Sequence, residues 1–352
     1  MSNRINKSHP KIIGFERLHS QVGDCVISVK ALYALSVLYP ESKIIVFTSQ
    51  MGKNLFKNYN FIHQIIVVDT STNRENNFLN ALLKYKIDIL LLLHRTSWKI
   101  RIAKLSKIPK VITEMHMHTL FSKQFKSPSL HISRFVHGTK KILKLVRRID
   151  TKHYDKNIAK IDFSKAKLQT SNANKITIKL FLDSFKDAWN WDGGIRKIVG
   201  INPFGRANAE KFNFLLSDWV YLAESLAKEF PQVLFIFTTY TANPQKIEKS
   251  KRENIKIFCN DEDILNLVEI IAHFDLLLSV DTGNIHIADN LLIPTLATIE
   301  HRKKDNCCGG SYGGEFEAIC LSKNCEENHK HYLEIFHNKA REKIQNLIKI
   351  KG

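Results

Sequence analysis

The sequence predicts an α/β protein built from two doubly wound, Rossmann-like halves. Three observations lead there. A strand–helix–strand unit opens the chain, a second strand–turn–helix lies near residue 280, and the apolar runs are only four or five residues long. Runs such as Leu90–Leu93 and Leu276–Val280 are too short to span a membrane and fit strands buried on both faces of a parallel sheet. At 352 residues the chain is long enough for two domains with separate cores.

Taken in order, Ile12, Ile13 and Phe15 form a short strand. Gly23 and Asp24 open a helix whose apolar face carries Val26, Val29, Leu32, Leu35 and Leu38. Pro40 stops that helix, and Ile44–Thr48 is the next strand, which completes a βαβ unit. Further strands are predicted near 64–68 and 87–93. Leu90–Leu93 runs into a polar, basic loop, His94 to Lys99, at the carboxyl end of a strand, where open α/β sheets place ligands. The segment 116–148 is basic, with aromatic and aliphatic residues interleaved, a pattern suited to an anionic surface. Residues 166–197 carry little periodicity and are expected to be a linker ending at Trp191-Asp192-Gly193-Gly194. The second half is predicted to begin with the strand Lys197–Asn202. A helix over 217–229, strands over 233–238 and 255–258, a helix over 262–273 and the strand Leu276–Val280 follow. Ile285, Ile287, Ala288, Leu291 and Leu292 recur at helical spacing, and a last helix covers 332–350. The expected organisation is a first domain over 1–165, the linker over 166–197, a second domain over 198–330 and a closing helix over 331–352.

The run Asp281-Thr282-Gly283, with His286 one turn on, breaks the strand and starts the helix. Such a junction gathers backbone N–H groups and the positive end of a helix dipole, which suits a phosphate. Gly283 admits a ligand close to the backbone, Thr282 offers a hydroxyl, and His286 faces the same mouth. A helix merely capped by Asp281 or Thr282 explains the residues equally well. Asp24 stands in a similar place at the first helix, as a candidate base or as a favourable first-turn charge.

Other patterns exclude more than they assign. Gly200 to Ala207 imitates the start of a P-loop but lacks its Lys-Ser/Thr pair, which excludes an NTPase of that type. Asp261-Glu262-Asp263 has the form of a metal-binding acidic pair, yet it directly precedes a helix and is better explained as an acidic first turn. Cys307, Cys308, Cys320 and Cys325 cluster without paired C-x-x-C spacing, so the six cysteines are expected to be reduced thiols. The net charge is +19, from 53 Lys and Arg against 34 Asp and Glu, and such a surface seeks a polyanion. No zinc finger, helix-turn-helix or aromatic RNA-binding pattern accompanies it, which argues against nucleic acid as the partner.

The two junctions together resemble the bacterial glycosyltransferase family 9, the ADP-heptose:lipopolysaccharide heptosyltransferases. The residues that carry the resemblance are Gly23-Asp24 through Tyr39-Pro40, then Asp281-Thr282-Gly283, His286 and Pro294-Thr295. The resemblance implies a GT-B-like architecture, two Rossmann-like domains facing a cleft, and an inverting transfer of heptose from ADP-heptose to the lipopolysaccharide or lipooligosaccharide core. In this scheme Asp24 and Lys211 are catalytic. Asp281, Thr282, Gly283, His286 and Arg206 bind the donor, and Arg95 and Lys99 meet the acceptor. The resemblance implies no cofactor and no metal. The expected partners are a nucleotide sugar, an anionic glycolipid and, peripherally, the anionic inner membrane of a cytoplasmic enzyme. Tyr240–Glu248 departs from the family pattern: it offers Asn243, Gln245 and Glu248 where a short acidic segment is common, which leaves a different sugar donor open. A basic nucleic-acid-binding protein is the alternative from another class.

Overall fold

A computed structural model of the protein describes residues 10–19, 21–128, 137–185, 197–205, 213–260, 262–301, 309–321 and 328–349. The chain divides into two compact units, Met1–Lys167 and Leu168–Gly352. The first contains, in order, β1 (Ile12–Arg17), α1 (Val22–Leu38), β2 (Lys43–Thr48), α2 (Gln50–Phe56), β3 (Gln64–Val67), α3 (Arg74–Leu83) and β4 (Ile89–Leu92). It continues through α4 (Ser97–Leu105), β5 (Lys110–Thr113), β6 (Phe125–Lys126), α5 (Gly138–Arg147) and α6 (Thr151–Asn157). The second contains α7 (Asn172–Asp183), β7 (Lys197–Asn202), α8 (Leu216–Glu229), β8 (Val233–Thr239), β9 (Ile255–Cys259) and α9 (Ile264–Ala272). After these come β10 (Leu276–Val280), α10 (Gly283–Leu291), β11 (Thr295–Glu300), β12 (Phe316–Leu321) and α11 (His329–Lys349).

Among the described residues each unit has one six-stranded, all-parallel sheet. The strand orders are β3-β2-β1-β4-β5-β6 and, read from the far edge, β9-β8-β7-β10-β11-β12. Both are the 3-2-1-4-5-6 order of a doubly wound sheet, in which the direction of winding reverses between the first and fourth strands. The first unit therefore has its switch point at the β1–β4 pair, and the second at the β7–β10 pair.

Burial follows from the parallel sheets. The four residues of β4 and the five of β10 are all buried. Helix α1 buries nine residues distributed around most of its circumference, because it lies on the sheet and also receives α5, whose own buried face is Ile142, Leu145 and Val146. In the second unit α11 sends Phe336, Ala340 and Ile344 into the core. The Phe336 ring meets that of Trp219 at 5.2 Å in an edge-on contact. The closing helix is thus part of that unit's core. Burying a side chain of this size contributes on the order of 1.5–3 kcal/mol.

The stretch expected to be a linker differs from its expectation in one respect, since it holds α7. That helix starts at a reciprocal cap between Ser171 and Asn174 and packs on α9, burying Ile178. Trp191 to Gly194 lie outside the described residues. No helix among the described residues is long and apolar enough to cross a membrane.

Candidate functional site

At the first unit's switch point, β1 ends in two charged residues that a buried strand would ordinarily lack. Glu16 is completely buried, and its carboxylate accepts from Lys99 Nζ at 2.6 Å, from Leu18 N–H at 3.0 Å and from Leu93 N–H at 3.0 Å. These bonds join the carboxyl ends of β1 and β4. Burial alone would raise the Glu16 carboxyl, but the ammonium of Lys99 outweighs it and holds the group below the ordinary carboxylate range.

Arg17, only 2% exposed, reaches forward into the first turn of α1. Its Nε donates to the Asp24 carbonyl at 2.6 Å and its Nη2 to Asp24 Oδ1 at 3.1 Å. Its Nη1 lies 3.0 Å from His94 Nε2. A guanidinium only donates, so Nε2 of His94 accepts and the neutral ring carries its proton on Nδ1. Burial, reinforced by the Arg17 charge, pushes the His94 ring down to about 4, which keeps it neutral near pH 7. His19 stacks on His94 with ring centroids 4.0 Å apart, and its Nδ1 lies 3.9 Å from Asp24 Oδ2. The Asp24 side chain is 24% exposed. The assembly is a solvent-reachable carboxylate whose inner oxygen is fixed from behind by a buried arginine.

His19, Asp24 and His94 also place potential metal-ligand atoms within 4.8 Å of one another. Arg17 argues against that use. It already donates to a nitrogen of one and an oxygen of another, and a divalent ion there would lie against a guanidinium that cannot release its charge. The donor set fits a positioned carboxylate better than a cation.

The expectation for Lys99 requires correction. It lies in α4 rather than in a loop, is 3% exposed and is committed to Glu16, so it does not face an acceptor. The cause is the buried carboxylate, which needs a cation beside it. Arg95 does reach the surface, with its side chain 54% exposed. Its Nε is 3.4 Å from Glu114 Oε2, and its Nη1 donates to the Met115 carbonyl.

At the second unit's switch point the connecting residue is Asn202, 5% exposed at the end of β7. Its Nδ2 donates to Thr282 Oγ1 at 2.9 Å and to Ser279 Oγ at 3.2 Å, while Thr238 Oγ1 donates back to its Oδ1 at 3.4 Å. Thr282 is the N-cap of α10, and its Oγ1 also accepts from Asn284 N–H at 3.4 Å. With both lone pairs engaged, the hydroxyl proton of Thr282 is left to donate. Asp281 directly precedes this cap, Gly283 is the first helical residue, and His286 follows one turn on; the Asp281 and His286 side chains are half-buried. The arrangement gathers the N-terminus of a nine-residue helix and a hydroxyl donor at the carboxyl ends of two adjacent strands.

Arg206 and Lys211 lie outside the described residues. On either side of them, Asn213 Nδ2 donates to the Pro203 carbonyl at 2.8 Å and its Oδ1 accepts from Trp219 Nε1 at 3.0 Å. Asp263 caps α9 by accepting from Leu265 N–H at 3.1 Å, while Asp261 lies outside the described residues. Of the cysteines, Cys25 is buried, with its thiol pushed up to about 12 by that burial. Cys259 is exposed, with its Sγ 3.4 Å from Thr241 Oγ1, Cys320 is half-buried, and Cys307, Cys308 and Cys325 are outside the described residues.

Four residues were invisible as site residues in the sequence: Glu16, Arg17, Asn202 and Asp289. The last, 4% exposed on α10, accepts from Gly310 N–H at 2.8 Å, Ser311 N–H at 3.0 Å and Ser311 Oγ at 2.6 Å. It thereby holds the loop before β12 against the helix. The one sequence signal for the first pair was two adjacent charges closing an apolar run.

Two units with the same doubly wound order, each with polar groups gathered at its switch point, define the fold class of the GT-B glycosyltransferases. Comparison with solved structures gives particular relatives in fold. A glycosyl transferase of family 9 from Veillonella parvula is similar with a TM-score of 0.71 and 14% identity, over 96% of this chain and 97% of that one. The ADP-heptose lipopolysaccharide heptosyltransferase II of E. coli is similar with a TM-score of 0.69 and 15% identity, over 97% and 99%. The E. coli heptosyltransferase WaaC, solved with ADP-2-deoxy-2-fluoro heptose, follows at 0.58 and 13%, over 91% and 99%. No protein-family model and no curated protein sequence matches the chain. At these identities the likeness establishes the fold.

Proposed function

We propose that the protein is an inverting glycosyltransferase of the heptosyltransferase kind, taking heptose from ADP-heptose to a lipopolysaccharide or lipooligosaccharide core. The observation that carries this reading is Asp24, a partly exposed carboxylate in the first turn of α1 at a topological switch point, with Arg17 fixed behind it. In this reading Asp24 removes the proton of an acceptor hydroxyl as that oxygen attacks the anomeric carbon. The bond from that carbon to the diphosphate breaks, and the nucleoside diphosphate leaves with the electron pair. Thr282, Gly283 and the N-terminus of α10 hold the diphosphate, with Asp281 and His286 beside it, and Lys211 and Arg206 neutralise the charge that develops on departure. Arg95 meets the anionic acceptor. The reaction takes place on the cytoplasmic face of an anionic membrane, to which the basic surface attaches the protein peripherally.

The test is transfer from ADP-heptose to a heptose-deficient core glycolipid by the purified chain. Asp24→Asn should reduce kcat by about 10²–10⁴-fold, the usual cost of losing a general base, with donor affinity and fold retained. A variant that turns over at the wild-type rate would reduce Asp24 to a first-turn charge. Transfer of a different sugar at a higher rate would replace the donor and keep the mechanism.

A further inference from the structure

The loop between β5 and β6 exposes three large apolar side chains within five residues: Met117 at 79%, Leu120 at 45% and Phe121 at 104%. It is a fixed feature. Met117–Thr119 form a 3-10 turn in which buried Thr119 accepts from His116 N–H at 3.0 Å and donates to the His116 carbonyl at 2.7 Å. The near end is tied by Arg95 to the Met115 carbonyl. At the far end Gln124 Nε2 donates to the carbonyls of Ala103 at 3.0 Å and Ile108 at 2.8 Å. Phe121 has φ of +64°, a left-handed conformation that bulky residues rarely adopt, and it directs the ring outward.

The charge around this loop is one-sided. Between Asp88 and Asp150 the sequence has 14 Lys and Arg and a single acid, Glu114, which is paired with Arg95. Exposed Lys123 and Lys126 follow the apolar residues. Gln124 brings the loop against the turn that carries exposed Lys104, Leu105 and Lys107.

We propose that Met117, Leu120 and Phe121 form a wedge that enters the interfacial layer of an anionic bilayer while the surrounding lysines meet its headgroups. Apolar side chains projecting from a predominantly basic surface, whose acid Glu114 is paired with Arg95, are the composition that interfacial binding requires. A second copy of the chain would bring the same positive surface and be repelled. The loop leaves the carboxyl end of β5, beside β4 and His94, so the wedge would hold the membrane on the side of the sheet where the strands end and where α1 begins with Asp24. The inference rests on the proposed reading in taking the acceptor to be lipid-borne.

The experiment is sedimentation of the full chain with phosphatidylcholine vesicles, with and without phosphatidylglycerol, at 0.1 and 0.5 M salt as a rough bracket of screening. The wild type should bind anionic vesicles and retain part of that binding at the higher salt. The double variant Phe121→Asn, Met117→Asn should lose the salt-resistant part and bind about tenfold or more weakly, since partial burial of each large apolar group is worth several-fold. Asn tolerates positive φ and both sites are exposed, so the fold should be retained. As a second readout, Phe121→Trp should show a blue-shifted emission that brominated lipid quenches. Undiminished binding of the double variant, an unshifted emission, or tighter binding to duplex DNA than to anionic vesicles at equal salt overturns the proposal. Transfer to a lipid-free core oligosaccharide should be unchanged in the double variant. Failure of that transfer in the wild type would count against the glycosyltransferase reading and leave the wedge standing.

Discussion

Replacing Lys99 with Met tests whether that lysine is a structural ion or an acceptor contact. Lys99 Nζ lies 2.6 Å from Glu16 Oε1, with side chains 4% and 0% exposed. At that separation and an effective dielectric near 20 the attraction is about 6 kcal/mol, most of it offset by the cost of taking both ions out of water. Met keeps the stem of the side chain and removes only the ammonium, so Glu16 is left buried with its backbone donors from Leu18 and Leu93. Breaking a buried pair in this way costs about 3–5 kcal/mol. The pH dependence follows from the sign of the Glu16 shift. In the wild type its carboxyl is held low, so its contribution is present above the ordinary carboxylate range and is lost as pH falls through it. In Lys99→Met burial is opposed only by the remaining donors such as Leu18 N–H and raises the carboxyl, which then takes up a proton on mild acidification. The destabilisation should therefore be largest near pH 7 and shrink toward pH 5. Urea unfolding at the two pH values measures this. A loss below about 1 kcal/mol at pH 7, or the same loss at both, would refute the buried-pair account. Unchanged stability with a selective rise in acceptor KM would restore Lys99 as an acceptor contact.

Two other outcomes follow from the same geometry. Gly283→Val should weaken ADP binding, measured by calorimetry, because a branched side chain at the first position of α10 blocks approach to the helix N-terminus; unchanged affinity would remove the phosphate from this turn. Transfer should survive EDTA, and Asp263→Ala should lower stability by about 1 kcal/mol without a large change in rate, since Asp263 is a cap; strict dependence on added magnesium or manganese would contradict both this and the role given to Arg17.

The fold was legible where burial dictates the pattern. Fully buried parallel strands read as short apolar runs, and β4 and β10 appear where those runs stand. The failures have particular causes. In α7 the apolar residues Ile176, Ile178, Leu180 and Leu182 alternate at the period of a strand. The helix tolerates this because only Ile178 of the four is buried, while Ile176 and Leu180 are 58% and 65% exposed. Strands β5 and β6 are four and two residues long, too short to show any period. Gly200, part of the P-loop imitation, has a packing reason: a Cβ there would lie 2.0 Å from the Phe274 ring.

The candidate sites were legible as junctions and illegible as networks. A carboxylate beside a glycine at a helix start can be read from sequence. That Glu16 pairs with a lysine 83 positions away, or Asn202 with a threonine 80 away, comes from strand order alone. Once that order is known, the two units prove to use one device with different chemistry. In each, the last residue of the central strand fixes a group at the start of a helix, for Arg17 the helix that follows its own strand and for Asn202 the helix that follows the neighbouring strand across the switch point. Arg17 fixes a carboxylate on α1, whereas Asn202 fixes a hydroxyl on α10. A charged donor behind a carboxylate orients a base without blocking its outer oxygen. A neutral amide behind a hydroxyl frees that hydroxyl to donate, and it adds no side-chain charge of its own beside an anion. In the proposed reaction the first arrangement would serve removal of a proton and the second retention of a diphosphate, and the difference rests on the identity of the last residue of each central strand, Arg17 or Asn202.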